Sequence, residues 1–385
     1  MKRIVVLGGG SAGVMFSNRM RREFSQDELE IIVIERSEKH FYQPAYTLVV
    51  FDLDDPKNLV RPTKGLFFDG IKLIIDEAVK INAETNTVYT AKSGEFSYNY
   101  LVIATGARYI YDEPAGMKEG LEKGEDVFTF YTYDGAIKLR DKLKEFKGGT
   151  IVSTVCEMPI KCPAAPMKFI MMAEDTFRQN GLRDKVNFVF TTPMPAVFSR
   201  EPYASKLNSI FKSRGIDTVA NFTPSEVDTE NKVLKDFGGK EVKYDLLCIT
   251  PPHEGQKVVE DSEGIGDAAN WVSCDKNLMV SKKKDNIFGI GDATDFPTSK
   301  TASGIRKQAK ILVSRITAIM KGEEPQDTYD GEIICPMLTK HKRVMFAHFN
   351  YEKPISPAIE SYANWVLKVH MLRPLYWNLM LKGLM

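Results

Sequence analysis

A six-residue stretch, Gly8-Gly9-Gly10-Ser11-Ala12-Gly13, constrains the fold more than any other feature of the chain. An apolar run, Arg3-Ile4-Val5-Val6-Leu7, precedes it, and a helical pattern from Val14 to Glu23 follows. This is the strand–turn–helix setting that a G-x-G-x-x-G turn needs to hold a dinucleotide. Gly8 permits the tight turn, Gly10 lets a pyrophosphate approach the backbone, and Gly13 lets helix lie on strand. Ser11 and Ala12 open the helix, whose free N–H groups and positive dipole end favour phosphate. A second strand, Glu30 to Ile34, ends in Glu35, an acid placed to accept hydrogen bonds from a ribose.

Two later segments specify the nucleotide. Tyr100 to Ile103 reads as a strand ending in Ala104-Thr105-Gly106. Asn286 to Ile290 reads as another, ending in Gly291-Asp292, with a long helical segment from about Ala302 to Met320. Together with the glycine turn, these segments resemble the two-dinucleotide-fold flavoprotein reductases. That resemblance implies FAD, with Asp292 on the ribityl chain and the following helix pointing its N-terminus at the flavin. The fold class expected is therefore α/β, with two Rossmann-like domains.

Length and composition bound the rest. A chain of 385 residues with 43% hydrophobic content suits two domains plus an extension. Lys and Arg total 52 against 51 Asp and Glu, so the net charge of +1 gives no global nucleic-acid signature, and no nucleic-acid partner is expected. No apolar run reaches the roughly 18 residues of a spanning helix, and no secretory leader is expected. The five cysteines are scattered, which argues against a disulfide scaffold. The five histidines form no metal-ligand spacing, and no metal is expected.

The second domain should lack a nicotinamide site. The strand Gly149 to Thr154 is followed by Val155-Cys156-Glu157-Met158-Pro159-Ile160-Lys161-Cys162-Pro163, where a glycine turn would stand. Bulky side chains fill the space a pyrophosphate needs, and prolines remove N–H donors. The next helix starts around Ala165-Pro166, leaving Cys162 at or just before its N-terminus, a position that lowers a thiol pKa. Cys335-Pro336 supplies a second Cys-Pro after the flavin helix.

At this point the chain resembles the sulfide:quinone oxidoreductases, nearest the branch containing the mitochondrial enzymes. The resemblance runs through His40-Phe41-Tyr42-Gln43-Pro44, Lys161-Cys162-Pro163-Ala164-Ala165-Pro166, Thr250-Pro251-Pro252, Gly291-Asp292, Pro297-Thr298-Ser299-Lys300-Thr301, Asp330-Gly331 to Cys335-Pro336, and Leu375-Tyr376-Trp377-Asn378. It implies that Cys162 and Cys335 form a redox pair, joined directly or through bridging sulfur when oxidised. Hydrosulfide opens the pair, leaving a persulfide on Cys335 and a flavin-directed thiolate on Cys162, and the electrons pass through FAD to a membrane quinone. Further cofactor contacts are implied at Gln43, Ala78, Lys300 and Thr301, and the alternative for Lys300 is a solvated turn lysine. No cysteine stands between Gly124 and Gly135, so the FAD is expected to be noncovalent. Lys168 replaces a glutamate of some relatives, so no carboxylate base is assigned. Cys156 has no assigned role, and Cys248 and Cys274 read as structural.

The expected division is an FAD domain of residues 1–110 and 275–325, a degenerate second nucleotide fold of 111–274, and a C-terminal segment of 326–385. In that segment Ile359, Tyr362, Val366 and Val369 share a helical stripe, and Pro374 interrupts before an apolar stretch with Tyr376 and Trp377. One reading is an amphipathic extension lying on the lipid bilayer surface; the other is a helix packed on the protein or in a homo-oligomer interface. The family resemblance favours the first, with the chain peripheral on the cytoplasmic face. Phe346 and Phe349 are candidates for a quinone wall, or else core strand residues. The rival functions are a flavocytochrome c sulfide dehydrogenase flavin subunit, a type II NADH:quinone oxidoreductase and a flavin-binding scaffold.

Overall fold

The computed structural model describes all 385 residues. Its principal strands, in chain order, are β1 (Lys2–Leu7), β2 (Leu29–Glu35), β3 (Ile71–Ile75), β4 (Tyr100–Ile103), β5 (Val127–Phe128), β6 (Gly149–Val155), β7 (Val186–Thr191), β8 (Ile216–Val219), β9 (Leu246–Thr250), β10 (Ile287–Gly289), β11 (Ile333–Lys340) and β12 (Arg343–Phe349). The helices that matter here are α1 (Ser11–Glu23), α2 (Ala165–Gln179), α3 (Tyr203–Ser213) and α4 (Ala302–Lys321).

Two five-stranded parallel sheets organise the molecule. The first has the order β10-β4-β1-β2-β3 and the second β5-β9-β6-β7-β8. The continuous apolar runs of β1, β2 and β9 fit strands covered on both faces, as parallel sheets require. Residues 287–321 return to the first sheet: β10 pairs with β4, and α4 lies against α1. In such sheets ligands bind beyond the carboxyl ends of the strands.

The glycine turn between β1 and α1 has two positions where only glycine fits. A Cβ on Gly13 would stand 1.8 Å from the Gly8 carbonyl oxygen, and one on Gly8 would stand 2.5 Å from the Ala104 carbonyl oxygen. Gly8 also has φ +102°, a left-handed conformation. The turn, helix α1 and the Ala104 loop therefore close on one another only in the absence of side chains.

After α4, β11 and β12 form an antiparallel hairpin that sets Cys335 opposite Ala347 and Pro336 opposite Phe346. Two consecutive acids of α2 hold this hairpin against the second sheet. Glu174 is fully buried and ion-paired with Arg178, Arg183 and Arg214, and Arg214 also donates to the Thr339 carbonyl of β11. Asp175 accepts from the His341 N–H at 2.7 Å.

The C-terminal arm departs from expectation in two ways. Pro374 does not interrupt it: helical turns run from Tyr362 to Met380, with π-helical stretches at Leu367–Met371 and Tyr376–Met380 on either side. Wider turns bond five residues back and accommodate a residue that has no N–H. The anticipated stripe is also split. Ile359 and Tyr362 are exposed, whereas Val369, Tyr376 and Trp377 are buried. No helix of the molecule is long and apolar enough to cross a membrane.

Candidate active site

One cavity of about 840 Å³ runs from the glycine turn to the two cysteines. At one end it is lined by Gly8 to Ala12, Glu35, Ala78 and the Ala104-Thr105-Gly106 loop, and at the other by Cys162, Lys168, Cys335 and Phe346. Asp292, Lys300, Thr301 and Gln43 line it between. Gly291 lies just behind, beside Ala12 and Ile305. Phe349 is not part of the wall. It is buried between Phe198 and Tyr203, because alternate residues of β12 face opposite sides and Phe346 takes the cavity side.

Helix α1 has Gly10 as its N-cap, no side-chain cap and no acid in its first turn, so its first N–H groups stay available to an anion. No atom lies within 4 Å of where a Cβ on Gly10 or Gly106 would stand. Thr105 Oγ1 and Asp292 Oδ1 are buried without a partner within the protein. Burial raises the Asp292 pKa above the usual carboxylate value, opposed by Lys300 and Lys161. Unpaired buried polar atoms are costly, and a polyhydroxylated chain would satisfy both. The residues present fit a flavin dinucleotide.

The thiol end is built from three elements. Cys162 lies two residues before the N-cap of α2, Ala164, in a left-handed conformation with φ +47°. Its N–H donates to the Lys300 carbonyl at 2.8 Å, and its own carbonyl accepts from Ala165 at 2.7 Å. These bonds hold a conformation that a residue with a Cβ rarely adopts. Cys335 comes from β11 and lies within hydrogen-bonding reach of Cys162; both are free thiols. Lys168, in the first turn of α2, places Nζ 3.2 Å from Cys162 Sγ.

This arrangement divides the two thiols. The Cys335 hydrogen bond, which outweighs burial, and then the Lys168 ammonium hold Cys162 well below the usual thiol range. The same hydrogen bond and burial push Cys335 well above it. Burial lowers the Lys168 pKa, but the Cys162 thiolate and the hydrogen bonds to both thiols raise it above the usual lysine value, so that lysine stays protonated. A neighbouring thiol and a buried ammonium thus lower the Cys162 pKa at the start of α2. Lys368, from the C-terminal arm, stands near the same group, and burial followed by repulsion from Lys168 lowers its pKa to about 8.

Several lining residues also brace the cavity. The Lys300 ammonium donates to the carbonyls of Asp292 and Thr294 and lies 3.8 Å from the Trp271 ring centroid. Thr301 caps α4 by accepting from the Gly304 N–H. Gln43 accepts from Lys161 at 2.5 Å, tying the first domain's loop to the Cys162 turn. Cys156, Cys248 and Cys274 are buried, and burial raises the pKa of each.

Sequence reasoning missed Lys168 and Lys368 as site residues. A signal exists for the first: a helical side chain leans toward the N-terminus, so a lysine in the first turn points back at a cysteine ahead of the cap. For Lys368, the only hint is a lysine within the otherwise largely apolar stretch Trp365 to Val369.

The comparisons with known proteins agree with this geometry. Residues 2–316 match the pyridine nucleotide-disulphide oxidoreductase family. The mitochondrial sulfide:quinone oxidoreductase of Mus musculus is 33% identical over 99% of this chain and 86% of its own length. That of Dictyostelium discoideum is 32% identical with the same coverage. The structure of the sulfide:quinone oxidoreductase from the hyperthermophilic bacterium Aquifex aeolicus superposes with a TM-score of 0.86, covering 100% of this chain and 92% of that one at 22% identity, which speaks for the fold. The chain thus belongs to the pyridine nucleotide-disulphide oxidoreductase family and, within it, to the sulfide:quinone oxidoreductases.

Proposed function

We propose that this chain oxidises sulfide to sulfane sulfur at Cys162 and Cys335 and passes the electrons through a noncovalently held FAD to a membrane quinone. The observation that carries the reading is the single cavity that joins the glycine turn to both thiols, with the Lys168 ammonium 3.2 Å from Cys162. When bound, FAD supplies a two-electron acceptor. Gly8, Gly10, Ser11, Ala12, Gly13, Glu35 and the Thr105 and Asp292 side chains would hold it.

The chain's own residues account for the sulfur chemistry. In the oxidised pair, hydrosulfide attacks the Cys335 sulfur. A new S–S bond forms there as a persulfide, and the bond to Cys162 breaks with its electron pair leaving on Cys162. A low-pKa thiol is the better leaving group, which supports Cys162 in that role. Lys168 holds the emerging thiolate. When a thiolate such as the deprotonated Cys335 persulfide re-forms a sulfur–sulfur bond to Cys162, two electrons are released for each sulfide consumed, and FAD would be their acceptor. Quinone then takes them from the other end of the sequence.

The finer parts of the reading rest on their own observations. We place an FAD domain at 1–110 and 275–325, a degenerate nucleotide fold at 111–274 and a C-terminal segment at 326–385; the two separate parallel sheets support this. We place the chain on the cytoplasmic face of a bilayer; the exposed Ile355, Ile359, Tyr362 and Met371 support docking on a lipid surface. The quinone would approach along Phe346, Leu367, Leu372, Leu375 and Met380, which give the cavity an apolar side.

Anaerobic mixing tests the donor. Sulfide should bleach the flavin of the purified protein within the mixing experiment, while NADH and NADPH leave it oxidised. Rapid bleaching by NADH would replace the sulfide reading with a nicotinamide one.

A further inference from the structure

The Leu375-Tyr376-Trp377-Asn378 stretch does not lie on the surface. Tyr376 and Trp377 are each 1% exposed, and their rings pack tilted or edge-on against those of Tyr42 and His40. The Tyr376 hydroxyl lies 2.5 Å from His40 Nε2 and 2.6 Å from Ser11 Oγ. His40 Nδ1 lies 3.0 Å from the Gly9 carbonyl oxygen.

The direction of each bond follows from that carbonyl. A carbonyl only accepts, so Nδ1 carries the ring proton. His40 is neutral, since burial pushes its pKa down to about 4. Nε2 must then accept, and it accepts from Tyr376. With its proton spent on His40, the Tyr376 oxygen accepts from the Ser11 hydroxyl. Three directed bonds therefore run between the C-terminal arm and the glycine turn. On the other side, the Gly9 N–H donates to Glu35 Oε2 at 2.5 Å. The middle residue of the turn is held by Glu35 through its N–H and by the arm through its C=O. The arm continues along α1, where Asn18 donates to the Leu381 carbonyl at 2.7 Å and Arg22 to that of Lys382 at 3.1 Å.

We propose that the C-terminal arm is part of the nucleotide site: Tyr376, acting through His40 and Ser11, locks the glycine turn in its binding shape, so that arm docking and FAD retention are thermodynamically coupled. The inference rests on the reading of the cavity as an FAD site. Tyr376 is a positioning residue, since it acts on the turn through other side chains. Coupling of this kind is reciprocal: whatever the docked arm adds to FAD affinity, bound FAD adds to arm docking.

The test uses the full chain, stripped of flavin and titrated with FAD, alongside Tyr376→Phe and Tyr203→Phe. Tyr376→Phe keeps the ring and removes only the hydroxyl. Tyr203→Phe removes a hydroxyl as deeply placed, which accepts from the His348 N–H and shares its one proton between the His348 and Ser356 carbonyls. Tyr376→Phe should weaken FAD binding by about tenfold, equivalent to ~1.4 kcal/mol, and Tyr203→Phe should not. In the unsubstituted protein, FAD should slow hydrogen exchange of the arm amides at 372–381 by a similar factor. An unchanged FAD affinity in Tyr376→Phe, equal weakening in both variants, or arm exchange indifferent to FAD would each overturn the coupling. If the unsubstituted protein binds no FAD at all, the cavity reading itself fails, a result distinct from the other three.

Discussion

The molecule contains the same local unit twice, a parallel strand turning into a helix, and uses the two copies for opposite ends. Between β1 and α1 the turn is bare backbone, and helix α1 begins uncapped with room in front of it. Between β6 and α2 the turn is filled with side chains, and it presents Cys162 and Lys168 to the same cavity. A turn that binds through N–H groups must lack side chains; a turn that reacts must carry them. The second copy has exchanged a ligand site for a reagent, and the cavity lets the reagent face the ligand held by the first.

The largest effect should come from removing the reagent. Cys162→Ser and Cys335→Ser should each keep their FAD and lose sulfide-dependent quinone reduction by about a thousandfold or more, since members of one reacting unit are not independently dispensable. Cys156→Ser, Cys248→Ser and Cys274→Ser should retain most of it. A near-normal rate from Cys335→Ser would mean that the second turn is not the chemical one.

The converse substitution breaks the ligand turn. In Gly13→Ala, the added carbon meets the Gly8 carbonyl oxygen at 1.8 Å, so the turn must shift. Overpacking of this kind costs about 1–3 kcal/mol, so FAD should dissociate from the variant roughly tenfold to a hundredfold more readily. Flavin absorbance after gel filtration reads this directly. Full retention would show that the turn is not what grips the nucleotide.

The smallest effect sharpens the division between the thiols. Lys168→Met removes the ammonium beside Cys162, so the Cys162 pKa rises and its thiolate fraction at neutral pH falls. In the reduced enzyme, alkylation of Cys162 by iodoacetamide should vary little between pH ~6 and ~8, where a thiol of ordinary pKa titrates upward. In Lys168→Met the rate should climb with pH over that window and be several-fold slower at pH 7. Equal profiles would place the cause of the lowered pKa in Cys335 alone.

The first turn is legible in the sequence because its chemistry is backbone chemistry, and glycine spacing records where backbone must be bare. Cys162 and Cys335 are legible because the Cys-Pro turns carry them and a known family shares them. The direction of the Cys162 pKa shift is legible as well, but the parts played by Cys335 and Lys168 are not, because those two come from elements that meet only in the folded chain. Lys168 was within reach of helical geometry; Lys368 was not. Tyr376 and Trp377 read as interfacial because an apolar arm with aromatic and basic residues looks the same whether it faces lipid or the rest of the protein. What decides is the partner, and the partners of Tyr376 lie 336 and 365 residues away. Phe346 and Phe349 read equally as wall or core strand residues in the sequence; strand alternation gives the wall to Phe346 and the core to Phe349.

The pairing of β10 with β4 has a consequence for biosynthesis. The ribosome releases β1 to β4 early, yet β4 keeps an open edge until β10 emerges more than 180 residues later. At roughly 5–20 residues per second, that interval lasts on the order of ten seconds or more. Cys335 appears later still, and the arm that reaches Ser11 last of all. A nascent chain therefore carries Cys162 well before it has the partner thiol, the completed sheet or the finished cofactor cradle. Until β10 emerges, β4 is a strand edge open to pairing with other chains.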